Sequence, residues 1–345
     1  MTIRRLLTIA DLTASDAQDL LFVAAVLETH RLAMGALPPL LHGRCLGMIF
    51  DETSLRTRSA FERAISDFGG QAIHYNGSEA RIGRHAEKQE HLNDFVNVAG
   101  RFNDVLLSRI YDFEVQQRIA ALSPVPFING MCDRHHPTQA LCDFLTLMRR
   151  FGRAHDLKIA FVGDGTNIAL SLAQTASLLG ATFVCATPSS WGLPAELTSN
   201  LRGFSATEDP VAAVHGAHAV IADAWVPMNR ADEADARRRV LAPYRVTSDL
   251  MRHARPEAVF MHNLPAYRGE EVLPEVIDGP QSVIYDEAIA RLHIARALLL
   301  AMLLPDWSSL VAALRELGEL ATRDATRVAA CLRFFGGTSR EQVAA

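Results

Sequence analysis

Short runs of β-branched and apolar residues alternate with helix-patterned segments along most of this 345-residue chain, and the alternation occurs twice. Strands separated by helices imply an α/β fold on a mainly parallel sheet, because parallel neighbours need a crossover and a helix is the usual one. In the first half, 45–50, 71–75, 104–108 and 126–129 read as strands; the helices among them are 58–68, stopped by Gly69-Gly70, and 91–101. In the second half the strands are 158–162, 182–186, 218–222, 258–262 and 282–285, with helices 168–179, 195–201 and 209–215 among them. The amphipathic stretch 138–150 connects the halves, and a hinge there places a cleft between them.

The expected fold is therefore α/β with two lobes, each a mainly parallel sheet flanked by helices. The length agrees, since lobes of roughly 150 residues each can bury two cores. The expected boundaries are 1–150 with a returning helix at 287–304 for one lobe and 151–286 for the other. Residues 305–345, with Leu310, Leu314 and Leu317 at helical spacing, form an added C-terminal helical hairpin ending near Gly336-Gly337.

Composition prunes the function classes. No run reaches the roughly 18 apolar residues of a membrane helix. The first residues carry two arginines, but Asp11, Ser15, Asp16 and Asp19 interrupt any signal-peptide core, so the expected location is cytoplasmic. The five cysteines form no CxxC pair and fit free buried thiols better than a disulfide frame or a zinc site. A net charge of −5 speaks against a general nucleic-acid binder. The only lysines are Lys88 and Lys158, and neither lies in a P-loop or a Schiff-base motif. An anionic ligand must be met by arginines.

Five segments carry side chains suited to chemistry. Ser54-Leu55-Arg56-Thr57-Arg58 follows a strand and opens a helix, where unpaired backbone N–H groups and the helix dipole already favour a phosphate. The plainer reading is a capping serine beside a solvated face. His136-Pro137-Thr138-Gln139 starts the connecting helix and offers hydrogen-bond donors and acceptors to a carbonyl or amide. Asp223-Ala224-Trp225 and His262-Asn263-Leu264-Pro265 stand at strand ends, where open α/β sheets bind ligands. Asp286-Glu287-Ala288 leads through Arg291 to His293 in the last helix of the alternating pattern.

Together these segments resemble the ornithine/aspartate carbamoyltransferase family, and its ornithine branch in particular, over residues 1 to about 304. Ser54 to Arg58 is similar to its Ser-Thr-Arg-Thr-Arg phosphate motif, and His136 to Gln139 to its His-Pro-x-Gln motif. Asp223 to Asn229 is similar to the Asp-x-Trp-x-Ser-Met-Gly motif, His262 to Pro265 to His-Cys-Leu-Pro, and Asp286 to His293 to Asp-Glu-Ala-x-x-Arg-x-His. The resemblance implies a carbamoyl phosphate-binding lobe, an acceptor-binding lobe, a homotrimer, no metal and no organic cofactor. It implies that Ser54, Leu55, Arg56, Thr57, Arg109, His136, Gln139 and Arg291 bind carbamoyl phosphate, with Thr57, Arg109 and His136 acting on the reacting group. It implies that Asn167, Asp223, Met228, Asn263 and Leu264 bind a small amine or amino acid. Arg81 or Lys88, in a long loop, would complete a neighbouring subunit's site.

The departures cluster on the acceptor side: Asn263 stands for Cys, and Pro227-Met228-Asn229 for Ser-Met-Gly. Ornithine, another amine of specialised metabolism and a catalytically silent relative are the readings that remain open there. A nucleotide-binding oxidoreductase is disfavoured, because Val162-Gly163-Asp164-Gly165 lacks the third glycine, replaced by Ile168, and the acidic residue after the next strand.

Overall fold

The structure, a computed structural model, describes residues 3–51, 54–76, 90–226, 233–317 and 325–341. It divides into two compact units, 1–138 with 291–345 and 139–290. Each holds one five-stranded sheet in which every strand pairing among the described residues is parallel, ordered β1-β5-β4-β2-β3 in the first and β10-β9-β6-β7-β8 in the second.

In the first unit the strands are β1 (Arg5–Leu6), β2 (Cys45–Phe50), β3 (Gln71–Asn76), β4 (Val105–Arg109) and β5 (Phe127–Met131). Helices α1 (Ala14–Met34), α2 (Leu55–Asp67), α3 (Leu92–Phe102) and α4 (Phe113–Leu122) lie between them in the chain, and α5 (Pro137–Phe151) follows. Strand β2 is buried along its whole length, as a central strand covered on both faces must be, whereas edge strand β3 alternates between exposed and half-buried positions. A Cβ at Gly47 would lie 2.7 Å from a Leu106 methyl, so glycine permits the close packing there. Phe95, Val96, Leu106, Ile119 and Phe127 are among the residues that fill the core beside this sheet.

The second unit carries β6 (Lys158–Val162), β7 (Thr182–Ala186), β8 (Phe204–Thr207), β9 (Ala219–Ala222) and β10 (Val259–His262). Its helices include α6 (Asn167–Leu179), α7 (Ala195–Thr198), α8 (Pro210–Val214), α9 (Ala234–Leu241), α10 (Ser248–Met251) and α11 (Pro274–Ile277). The chain then runs through α12 (Ile284–Leu303), α13 (Trp307–Glu316) and α14 (Ala325–Glu341). Trp225, Phe260, Val220 and Leu241 belong to the core of this unit.

Both sheets have a topological switch point. From β2 the chain builds outward to β3 and then returns to place β4 on the other side; from β6 it builds through β7 to β8 and returns to β9. Open parallel sheets bind ligands outside the carboxyl ends of strands at such points. The relevant ends are those of β2 and β4 in one unit and of β6 and β9 in the other.

Two expectations are corrected. Residues 282–285 form no strand: a single bridge pairs Ser282 with Phe260, and Ile284 already opens α12. Val283 and Ile284 suit a strand by propensity, but the backbone there is used to enter a helix. Gly336-Gly337 does not end the hairpin either, since α14 continues to Glu341. No helix among the described residues is long and apolar enough to cross a membrane.

Candidate active site

At the first switch point, Phe50 and Arg109 are register partners at the ends of β2 and β4. The chain leaving β2 enters α2 through Ser54, whose extended backbone makes it the N-cap but whose side chain forms no capping hydrogen bond. The hydroxyl is therefore not spent on the helix, contrary to the plain capping reading. Leu55 is exposed, Arg56 half-buried and Thr57 fully buried in the same first turn.

Thr57 is the hub of this cluster. Its Oγ1 accepts from Arg109 Nη1 at 3.3 Å and from Arg291 Nη1 at 3.2 Å. With both lone pairs engaged, the hydroxyl hydrogen remains for donation to a ligand. Arg291 is 4% exposed, its Nε has no hydrogen-bond partner, and it forms no ion pair among the described residues. Burying a guanidinium without a counter-charge is costly, so this arrangement suits an anion with several oxygens.

His136, at the end of the loop from β5 and just before α5, is buried in the field of these cations. Burial, then the charges of Arg291, Arg109 and Arg56, hold its pKa well below the ordinary imidazole value. It is a neutral ring at physiological pH, with one N–H to donate rather than a positive charge. Its Nδ1 lies 3.3 Å from Thr138 Oγ1. The neighbouring His135 packs on Phe113 with ring centroids 4.9 Å apart, and burial followed by Arg134 lowers its pKa to about 4.

The second switch point carries a carboxylate instead. Asp223 leaves β9, with Ala224 N–H donating to Oδ1 at 2.8 Å and Thr166 Oγ1 to Oδ2 at 3.3 Å. Burial nevertheless raises its pKa. Thr166 caps α6 without a side-chain capping bond because its hydroxyl turns to Asp223, and Asn167 is the first residue of that helix. The loop before it is tightly seated: a Cβ at Gly165 would lie 2.6 Å from the Trp191 carbonyl oxygen. Beneath the loop, buried Arg237 pairs with Asp164 and with Glu233, the latter at 2.9 Å, and stacks 4.9 Å above the Trp191 ring.

Asp223 and Asn263 follow the register partners Ala222 and His262 at the ends of neighbouring strands. His262 pins the loop after β10. Leu264 N–H donates to His262 Nδ1 at 3.0 Å, which leaves Nε2–H to donate to Glu271 Oε1 at 3.1 Å. Glu271 Oε1 also accepts from Tyr267 N–H at 2.6 Å. Leu264 is held at φ 57°, a backbone conformation that a branched residue adopts only when its surroundings insist. Asn263 Oδ1 is buried and has no hydrogen-bond partner among the described residues.

Gln139 belongs to this second unit. Its Nε2 donates to Asp143 Oδ1 at 2.6 Å and to Glu287 Oε1 at 3.0 Å, while Glu287 Oε2 accepts from His262 N–H at 2.8 Å.

The structure thus gathers Arg56, Thr57, Arg109, His136 and Arg291 in one unit, with Ser54 and Leu55 on the same helix start. It gathers Asn167 and Asp223 in the other, with Asn263 and Leu264 on the neighbouring strand end. Pro227, Met228 and Asn229 lie outside the described residues, as do Arg81 and Lys88. Glu271 and Arg237 lie outside the five sequence segments, and Asp164 stands in the sequence only as part of the glycine-pair pattern 162–165. An acidic residue close behind a strand-end histidine was the available signal for Glu271; nothing local marked the pairing of Arg237 with Asp164, 73 positions apart.

The family description "aspartate/ornithine carbamoyltransferase, carbamoyl-P binding domain" matches residues 4–149, and its companion "Asp/Orn binding domain" matches residues 155–302. Among curated relatives, the ornithine carbamoyltransferase of Pyrococcus abyssi is 38% identical, over 87% of this chain and 96% of that protein. The ornithine carbamoyltransferase of Chromobacterium violaceum is also 38% identical, over 88% and 98%. The solved ornithine carbamoyltransferase from Pyrococcus furiosus superposes with a TM-score of 0.82 at 36% identity, covering 87% of this chain and 97% of that one. The enzyme from Thermus thermophilus gives 0.78 at 33%, covering 87% and 99%.

Proposed function

The chain belongs to the aspartate/ornithine carbamoyltransferase family, and from that membership we propose that it transfers the carbamoyl group of carbamoyl phosphate to the side-chain amine of ornithine or a related diamino acid. The observation that carries this reading is the convergence of Arg109 and Arg291 on the buried Thr57 hydroxyl beside a neutral His136. Carbamoyl phosphate is a dianion with an electrophilic carbonyl, and that is the ligand such a cluster suits.

In this reading Ser54, Leu55, Arg56, Thr57, Arg109 and Arg291, with the α2 N-terminus, hold the phosphate. Thr57, Arg109 and His136 also face the carbamoyl oxygen, and Gln139 faces the carbamoyl amide. The neutral amine forms a C–N bond to the carbonyl carbon, charge gathers on the carbonyl oxygen, and the C–O bond to phosphate breaks. Phosphate departs and the proton lost by the amine is balanced on it, giving a ureido product, citrulline when the acceptor is ornithine. Donors already fixed around those oxygens stabilise the developing charge without reorganising, and binding both reactants supplies proximity.

On the acceptor side, Asp223 and Asn167 take the charged head of the amino acid, with Met228, Asn263 and Leu264 along its length. A second reading, in which a different amine is preferred, is favoured by the carboxamide of Asn263 standing where the family motif has a thiol. We assign 1–150 with the returning helix 287–304 to carbamoyl phosphate, 151–286 to the acceptor and 305–345 to a C-terminal extension; the family matches at 4–149 and 155–302 support a change of lobe near residue 150, and the second of them includes most of the returning helix. A homotrimer with Arg81 or Lys88 reaching a neighbour's site is the family expectation. A cytoplasmic location is supported by five free cysteines, four of them buried.

The test is turnover of carbamoyl phosphate by the purified protein with ornithine, N-acetylornithine, lysine, diaminobutyrate, diaminopropionate, putrescine or aspartate. Ornithine or a close diamino acid is expected to give the highest kcat/KM. A preference for putrescine or aspartate would refute the acceptor assignment.

A further inference from the structure

The carboxamide of Gln139 is held with its polarity decided. An amide can present either end to a neighbour, but an ionised carboxylate only accepts, so two carboxylates around one end require that end to be the NH2. Asp143 Oδ1 takes one of its hydrogens and Glu287 Oε1 the other. The opposite end, Gln139 Oε1, is buried and has no hydrogen-bond partner among the described residues. It is an acceptor that calls for an N–H donor, and the carbamoyl amide is one while phosphate is not.

Glu287 does a second thing with its other oxygen. Oε2 accepts the His262 backbone N–H, the last residue of β10 before Asn263 and Leu264. One carboxylate therefore orients the group proposed to read the carbamoyl amide and anchors the start of the segment proposed to read the acceptor. Glu287 is 1% exposed, which keeps water from replacing either bond.

We propose that Glu287 is a positioning residue: it sets the Gln139 carbonyl toward the carbamoyl amide and couples that orientation to the acceptor loop at 262–264. The proposal rests on the carbamoyl-transfer reading above. Glu287→Gln places an NH2 where only acceptors fit, so the Gln139 amide must turn or lose a bond.

The experiment compares wild type, Glu287→Gln, Gln139→Ala and the double variant in steady-state turnover, with inorganic phosphate as a competitive inhibitor. Glu287→Gln is expected to lower kcat/KM for carbamoyl phosphate by about 100-fold, while the phosphate Ki changes less than about 3-fold because phosphate offers no N–H. On the Gln139→Ala background the same change is expected to cost less than about 3-fold, since the group it positions is gone. If Glu287→Gln does not fold, Asp143→Asn reads the same coupling from the other carboxylate. Equal losses in both backgrounds, or a phosphate Ki that rises in step with KM, would overturn the positioning role alone. Absence of turnover by wild type with every amine would overturn the functional reading and this proposal with it.

Discussion

Thr57 Oγ1 lies 3.2 Å from Arg291 Nη1, although 234 positions of sequence separate the two residues. The bond joins the first turn of α2 to the helix that returns at the end of the alternating pattern. It explains why one unit needs residues from both ends of the chain: the turn proposed to bind phosphate would lack one of its two guanidinium partners without the returning helix.

Arg291→Gln is therefore expected to raise the KM for carbamoyl phosphate. A lost hydrogen bond to a charged group is worth about 1.5–3 kcal/mol, or roughly 10- to 150-fold. Competitive inhibition by inorganic phosphate should weaken in parallel, and the KM for the amine should move little. An unchanged phosphate Ki would remove Arg291 from the anion site.

Asp223→Asn separates the two halves of the chemistry. The carboxylate at the end of β9 is assigned to the acceptor alone, so kcat/KM for the amine should fall by about 100-fold or more, in keeping with loss of a buried charged partner. The phosphate Ki should stay within about 3-fold of wild type. Loss of phosphate affinity in this variant would mean that Asp223 acts on the fold rather than on the acceptor.

His135 gives a stability prediction with a definite sign. Its pKa is about 4 in the folded protein, lowered by burial and then by Arg134, against about 6.5 unfolded. Between those values the unfolded chain holds the extra proton, so the His135 contribution makes stability rise with pH from about 4 to 6.5 and then level off. Urea unfolding of His135→Gln at pH 4.5 and pH 7.5 should show a smaller difference between the two than wild type. The full window is worth about 3 kcal/mol. Identical pH dependence in the two proteins would contradict burial of a neutral ring.

Arg237→Met removes a buried cation from Asp164 and Glu233. Stranding the Asp164 carboxylate should cost about 3–5 kcal/mol and lower Tm by on the order of 10 °C. Because Asp164 belongs to the loop leading into α6, the amine KM should rise as well. A stable variant with an unchanged amine KM would show the clamp to be dispensable.

Much of this was legible in the sequence where local pattern and final environment agree. The strands at 45–50, 158–162 and 182–186 appear residue for residue, because their β-branched and apolar runs sit in parallel sheets. Helix α1 was not legible: Leu20, Leu21, Val23, Ala24, Val26 and Leu27 are all buried, so the helix has no polar face over that stretch to mark its period. Strand β1 has two residues, too few for any periodicity, and half-exposed β8 carries little apolar signal. The candidate ligand residues were visible as motifs, but the groups that orient them were not. Glu271 acts by holding His262, and that role exists only once the loop folds back on β10.

The most direct test of the account is the stoichiometry of phosphate and ureido product formed from carbamoyl phosphate and ornithine by the wild-type protein. The two products are expected to appear one to one, at a rate that saturates with both substrates and collapses in Asp223→Asn. Phosphate release that is independent of any amine, with no ureido product, would contradict carbamoyl transfer.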